Sequence, residues 1–227
     1  MARILLLLFF VVALSGCAKF QYVFVDSHLY HDDDNAFVAE NDTVMIKYSF
    51  EREWLPFKLF IVNKTNIPIY IDWSNSSVII NDTEDSSLFD PEYRINMINP
   101  RSAITLYSDP ILYDFFKPDI NDPHARVTLT GGDMKGVRFT YDENSSPLVF
   151  TNILALSVHN DLSSPAYYEN SFWVSDIIKS NRGPDSYVYR PKENQTYLQK
   201  ETGFTTAMKW TASIGLLLLL QVITPGI

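Results

Sequence analysis

The stretch FKLFIVNKTNIPIYIDWSNSSVIIN, residues 57–81, decides the fold class. In an extended chain successive side chains point to opposite faces, so Phe57, Leu59 and Ile61 share one face and Lys58, Phe60 and Val62 the other. A polar turn, Asn63-Lys64-Thr65-Asn66, follows. Beyond it Ile67, Ile69, Ile71 and Trp73 line one face, with Tyr70 and Asp72 opposite. Pro68 stands at the start of this second run, where its missing N–H does least harm. The pattern predicts an antiparallel hairpin of 57–62 with 67–73, with Ile69, Ile71 and Trp73 buried.

Outward from this unit the chain repeats the same texture. Short β-branched and aromatic runs at 20–25, 43–50, 77–81, 103–107, 126–130, 137–141, 148–158 and 170–178 read as strands. Turn clusters such as Asn81-Asp82-Thr83 and Gly131-Gly132-Asp133 separate them. No stripe at the helical period of 3.6 residues occurs before residue 200. The fold class is therefore all-β, an antiparallel β-sandwich. An immunoglobulin-like topology would rest on analogy alone, because a chain with one Cys lacks the Cys–Trp–Cys pattern.

Composition narrows the function classes. The 227 residues carry a formal charge of −9, which disfavours nucleic acid, since phosphate neutralisation needs a basic surface. Fifteen Phe, thirteen Tyr and four Trp supply too much apolar surface for a disordered chain. The single Cys excludes an internal disulfide and a Cys-based zinc site.

The two ends are unlike the body. Arg3 precedes an unbroken apolar run from Ile4 to Leu14, followed by small residues, which is the layout of a secretory signal peptide. The run is shorter than the ~20 residues that a membrane-spanning helix needs. At the other end KWTASIGLLLLLQVITPGI begins at Lys209. Thr211 to Ile223 would be ~20 Å long as a helix, short against a hydrocarbon core of ~30 Å. Its apolar residues face every side, so 211–223 is expected to form a short hydrophobic helix inserted in a membrane. Packing on the sandwich or against a partner is the alternative. The organisation is then 1–16 signal peptide, 17–205 β-sandwich and 206–227 hydrophobic segment.

Leu14-Ser15-Gly16-Cys17 resembles the lipobox of bacterial lipoproteins, and Cys17 stands where that motif needs it. The resemblance implies cleavage before Cys17, a diacylglycerol on its sulfur and acylation of its new amine. More than one acyl chain gives stable anchoring. Ala18, in place of the Asp that retains enterobacterial lipoproteins at the inner membrane, implies the outer membrane. The acidic run Asp32-Asp33-Asp34 stands too far from Cys17 to resemble a surface-export signal, so the periplasmic face is expected. Residues 63–81, INPRSAITL (98–106) and ENSFWVSDI (169–177) resemble segments of uncharacterised Bacteroidetes envelope lipoproteins. That resemblance implies an envelope β-sandwich and no activity. A rival reading is a eukaryotic GPI-anchored glycoprotein. Small residues near Thr205-Thr206-Ala207 and the sequons at Asn41, Asn63, Asn75, Asn81, Asn144 and Asn194 fit it.

Residues with chemical potential are few. His28 and His31 with Asp32, Asp33 and Asp34 have metal-ligand types, but a solvated acidic loop accounts for them better. His124 and His159 stand apart. No nucleophile elbow, Walker-type loop or HEXXH is present. Asp90 with Glu92, and Asp142 with Glu143, are carboxylate pairs that a hydrolase could use only if they shared a pocket. Trp54, Trp73, Tyr167, Tyr168, Phe172 and Trp173 suit a glycan or, more simply, a core. The sequence therefore points to a non-enzymatic, lipid-anchored envelope protein with no metal or cofactor, held by Cys17 and residues 211–223, with a structural or interaction role. A periplasmic glycan-binding module or hydrolase is the further alternative.

Overall fold

A computed structural model describes residues 18–50, 53–85, 96–112, 114–118, 127–129, 136–180, 183–184 and 192–201. Fifteen strands occur among them and no α-helix. In chain order they are β1 (Ala18–Asp26), β2 (Tyr30–His31), β3 (Phe37–Glu40), β4 (Val44–Ser49) and β5 (Lys58–Asn63). Then come β6 (Ile69–Ile71), β7 (Ser77–Ile80), β8 (Thr83–Asp85), β9 (Met97–Ile98) and β10 (Ala103–Tyr107). The last are β11 (Val127–Leu129), β12 (Gly136–Thr140), β13 (Val149–Ser157), β14 (Ala166–Ser180) and β15 (Gln195–Glu201). All strand pairs are antiparallel, and the two sheets pack face to face as a sandwich.

The smaller sheet has the order β10-β5-β4-β3-β2. The larger is organised on β14, whose 15 residues span about 45 Å at strand rise. Its first half pairs with β13, from Ala166↔Leu156 to Trp173↔Val149. Its second half pairs on that same side with β12, and on the other side with β1. β15 adds outside β1, and β6 and β7 add outside β13. β7 and β8 are joined by the two-residue turn Asn81-Asp82, with φ of 44° and 64°, the left-handed pair that suits strand twist in a tight hairpin.

The alternation read from 57–63 holds: Phe57, Leu59 and Ile61 are buried and Lys58, Phe60 and Val62 half-buried. The predicted hairpin does not form. β5 pairs with β4 and β10 in the smaller sheet, whereas β6 pairs with β13 and β9 in the larger. Residues 64–68 thus carry the chain from one layer to the other. Ile69 and Ile71 are buried as expected, but Trp73 is half-buried at the rim of the core, Ile67 is exposed, and Asp72 is the buried one.

The cause of this arch is Asn63, which is fully buried. Its Nδ2 donates to the carbonyls of Ile67 at 2.8 Å, Ile98 at 3.1 Å and Asn99 at 3.1 Å. Its Oδ1 accepts from Thr65 N–H at 2.9 Å and Thr65 Oγ1 at 2.7 Å. One amide therefore satisfies the backbone of the turn that a hairpin would have satisfied by itself.

Between the sheets, Phe37, Phe50, Phe57, Phe150 and Phe172 form a continuous ring cluster. Phe172 stands at its middle, with ring centroids 5.3 Å from Phe150, 5.4 Å from Phe37, 5.5 Å from Phe50 and 4.9 Å from Tyr48. Beside it the buried Tyr48 hydroxyl donates to Asn152 Oδ1 at 3.2 Å and accepts from Asn170 Nδ2 at 2.8 Å. Burial in this apolar setting pushes the Tyr48 phenol well above its usual range, against the opposing hydrogen bond from Asn170. This bridge links β4 in one sheet to β13 and β14 in the other.

Candidate functional site

The site of interest is the end of the sandwich where β1 begins and β15 finishes. β1 lies between β14 and β15, with Ala18 opposite Glu201, Lys19 opposite Lys200, and Phe20 opposite Ser180. Cys17 immediately precedes the strand. Cys17 itself, the signal segment 1–16 and residues 206–227 lie outside the described residues. Among the described residues no helix is long and apolar enough to cross a membrane.

Alternation sets what the end presents. Gln21 and Val23 face the other sheet and are buried, so Lys19 shares that inward side. Lys200 is opposite Lys19, and Lys179 is opposite Gln21, which places three lysines on one face just beyond the last apolar layer. The segment 114–118 lies beside them, joined to Gln21 and Lys200. Gln21 Nε2 donates to the Phe116 carbonyl at 2.7 Å, and Phe116 N–H donates to Gln21 Oε1 at 2.9 Å, so one side chain imitates a strand partner.

Lys200 Nζ lies 3.0 Å from Asp114 Oδ1 and 6.0 Å above the Phe115 ring. The hydrogen bond from Lys200 holds the Asp114 carboxyl below its usual range. Lys179 Nζ sits 5.1 Å above the Phe139 ring, and desolvation there pulls its ammonium below the ordinary lysine value. Nearby, Trp54 and Leu55 have φ of 69° and 58°, two successive side-chain-bearing residues in the left-handed region. Such residues cost of order 1–3 kcal/mol each. Hydrogen bonds hold them there: Trp54 N–H to the Tyr197 carbonyl at 3.1 Å, and Leu55 N–H to Thr196 Oγ1 at 3.3 Å.

The residues singled out from sequence do not converge. His28 Nε2 is 3.0 Å from Glu143 and its ring lies 5.0 Å from Trp173, whereas His31 lies 3.5 Å from Asp26 and 4.6 Å from the Phe37 ring. Asp32 turns away from both to Lys47 at 2.7 Å, and Lys47 also meets Glu193 at 3.0 Å. Partial burial works to raise the Asp32 carboxyl. The Lys47 hydrogen bond and the N–H groups of Ala36 and Asp34 outweigh it and hold Asp32 low. No group of three metal-binding side chains occurs among the described residues. Asp142 caps its own turn through Ser145, apart from Glu143. Asp90, Glu92, His124 and Gly131 to Asp133 lie outside the described residues. Of the six aromatics, Phe172 and Trp173 are buried, Trp54, Trp73 and Tyr168 pack on the core's edge, and Tyr167 is exposed.

Two of the six sequons are explained by turn geometry. In Asn63-Lys64-Thr65 and Asn41-Asp42-Thr43 the Asn side chain accepts from the backbone N–H two residues on, an Asx turn. Asp72 with Ser74, and Asp161 with Ser163, make the same turn without a sequon. Asn63 has no free amide hydrogen and no exposed surface. Asn194 Nδ2 donates to the Val25 carbonyl, and its Oδ1 is buried. A glycan on Asn63 is incompatible with this fold.

Asp72 gives the fold a measurable pH dependence. Hydrogen bonds from Ser74 Oγ at 2.5 Å and Asn75 Nδ2 at 2.7 Å hold its carboxyl below the ordinary value, against burial. A depressed folded pKa contributes stability that is present above the unfolded pKa of ~3.9 and is lost as pH falls through the folded value. Asp72→Asn is expected to reduce the fall in urea midpoint between about pH 5 and pH 3. Equal pH slopes for variant and native chain would contradict this.

Comparison of the chain with protein-family models, with curated proteins and with solved structures finds no match.

Proposed function

We propose that this protein is a lipid-anchored component of a bacterial cell envelope, tethered through Cys17 to the periplasmic face of the outer membrane, with a structural or interaction role. The observation that carries the reading is the start of β1 at Ala18, paired with Glu201 at the end of β15. Both apolar segments of the sequence depart from neighbouring strands at one end of the sandwich. Residues 202–210 reach ~30 Å at most when fully extended. An acyl chain on Cys17 and residues 211–223 therefore belong to the same membrane, and the tail supplements the lipid without demanding a second bilayer. The glycoprotein alternative loses support at Asn63, because a sequon modified during synthesis there would block the arch.

Mass spectrometry of the mature N-terminal peptide is the test. An acylated peptide beginning at Cys17 is expected, and Cys17→Ser is expected to accumulate as uncleaved precursor. Recovery of an unmodified chain beginning elsewhere would overturn the reading.

A further inference from the structure

We infer that the lysine-lined end of the sandwich is a docking surface for anionic lipid headgroups, so that the domain stands on its anchoring membrane with this end down. The inference rests on the anchoring proposed above. Lys19, Lys179 and Lys200 come together only through the β1–β14 and β1–β15 registers. Lys19, Lys200 and Lys117 on the segment beside them are exposed. This gathering occurs in a chain whose formal charge is −9, at the end where the sequence continues toward both apolar segments.

The opposite end carries the reverse balance. Around the β3–β4 turn and the loop after β13, Asp42, Asp161 and Glu169 are exposed, against Arg101 held on Asn66, and Lys64 is paired with Glu40 at 3.0 Å. A negatively charged surface attracts the first end and repels the second. Phe115 and Phe116 add half-buried rings beside the lysines. Among the described residues Asp109, Asp114 and Glu201 are the acids at this end, against four lysines; the pairing of Asp114 with Lys200 is exposed on both sides and open to exchange for a lipid phosphate.

Acylation of Cys17 leaves no free thiol, so an introduced Cys is a unique labelling site. The full chain would carry a fluorophore at Asp109→Cys, just past the end of β10 nearest the lysines, or at Asp161→Cys, near the far end of β14. It would be reconstituted into phosphatidylcholine vesicles with or without about 30 mol% phosphatidylglycerol and a headgroup-linked quencher. Quenching at 109 is expected to exceed that at 161 several-fold in the anionic vesicles. Replacing phosphatidylglycerol, adding 1 M salt, which shortens the Debye length to about 3 Å, or introducing Lys19→Glu with Lys200→Glu should each collapse the contrast. The salt arm uses the native lysines, so it holds even if the charge reversals perturb folding. Equal quenching at both sites, or a contrast indifferent to lipid charge and salt, overturns the docking surface while leaving the anchor intact. A native chain recovered with no acyl group on Cys17 and bound to neither vesicle overturns both.

Discussion

Asn63→Asp is expected to unfold the protein at neutral pH or to cost ~3–5 kcal/mol, the range for an unpaired charge forced into a buried site. The substitution keeps the size of the side chain and removes its two donors. Three carbonyls, of Ile67, Ile98 and Asn99, would then face a carboxylate in place of an N–H. Burial and those carbonyls raise the folded pKa of the new group above its unfolded value. The variant's deficit is therefore smallest below pH 4, near the unfolded aspartate value, and grows as pH rises through and beyond it. Asn63→Ala, which strands the same carbonyls without adding charge, should cost less, roughly 2–4 kcal/mol, and show no such pH dependence. Urea titrations at several pH values separate the two. A deficit for Asn63→Asp equal to that of Asn63→Ala at all pH values would show that the arch does not depend on donation from this amide.

Phe172→Ala is expected to cost ~3–5 kcal/mol, as for large core aromatics. Phe172 is fully enclosed and touches the rings of Phe37, Tyr48, Phe50 and Phe150, drawn from both sheets. Truncation opens a cavity whose walls are themselves locked rings, so little collapse can offset it. Phe172→Leu refills much of the volume and should recover more than half of the loss. Denaturant midpoints measured on both variants decide the matter. A loss below ~1 kcal/mol for the alanine variant, the range typical of half-exposed sites, would mean the two sheets are not held together at this ring.

The alternation in 57–63 made the strand and its buried face legible, because period-two patterning is a property of one strand and the face it buries. Which strand lies beside it is a property of two. The polar turn at 63–66 reads equally as the loop of a hairpin and as an arch between layers. What separates them is the burial of Asn63, and a buried Asn and an exposed one look alike in sequence. β15, QTYLQKE, is illegible because, of its inward residues Thr196, Leu198 and Lys200, only Leu198 is apolar. β2 and β3 were obscured by the acidic run between them. The lysine cluster was hidden for another reason: Lys19, Lys179 and Lys200 are joined only by strand register, across most of the chain. Cys17 is the reverse case: its proposed role rests on a local motif and on no fold.

The position of β1 between β14 and β15 also dictates a timetable. The first strand to leave a ribosome or a translocon is an interior strand, and both its neighbours are encoded near the far end of the chain. Until residues 166–201 have emerged, β1 is an apolar ribbon with two naked edges, and the larger sheet has no middle. Topologies closed by such distant pairings fold slowly, because the loop entropy is met before any contact rewards it. Unpaired edges invite association in the interval. Delayed folding suits the export proposed for this chain, and it makes β15 the strand whose loss would turn β1 from an interior strand into an edge, held by β14 alone.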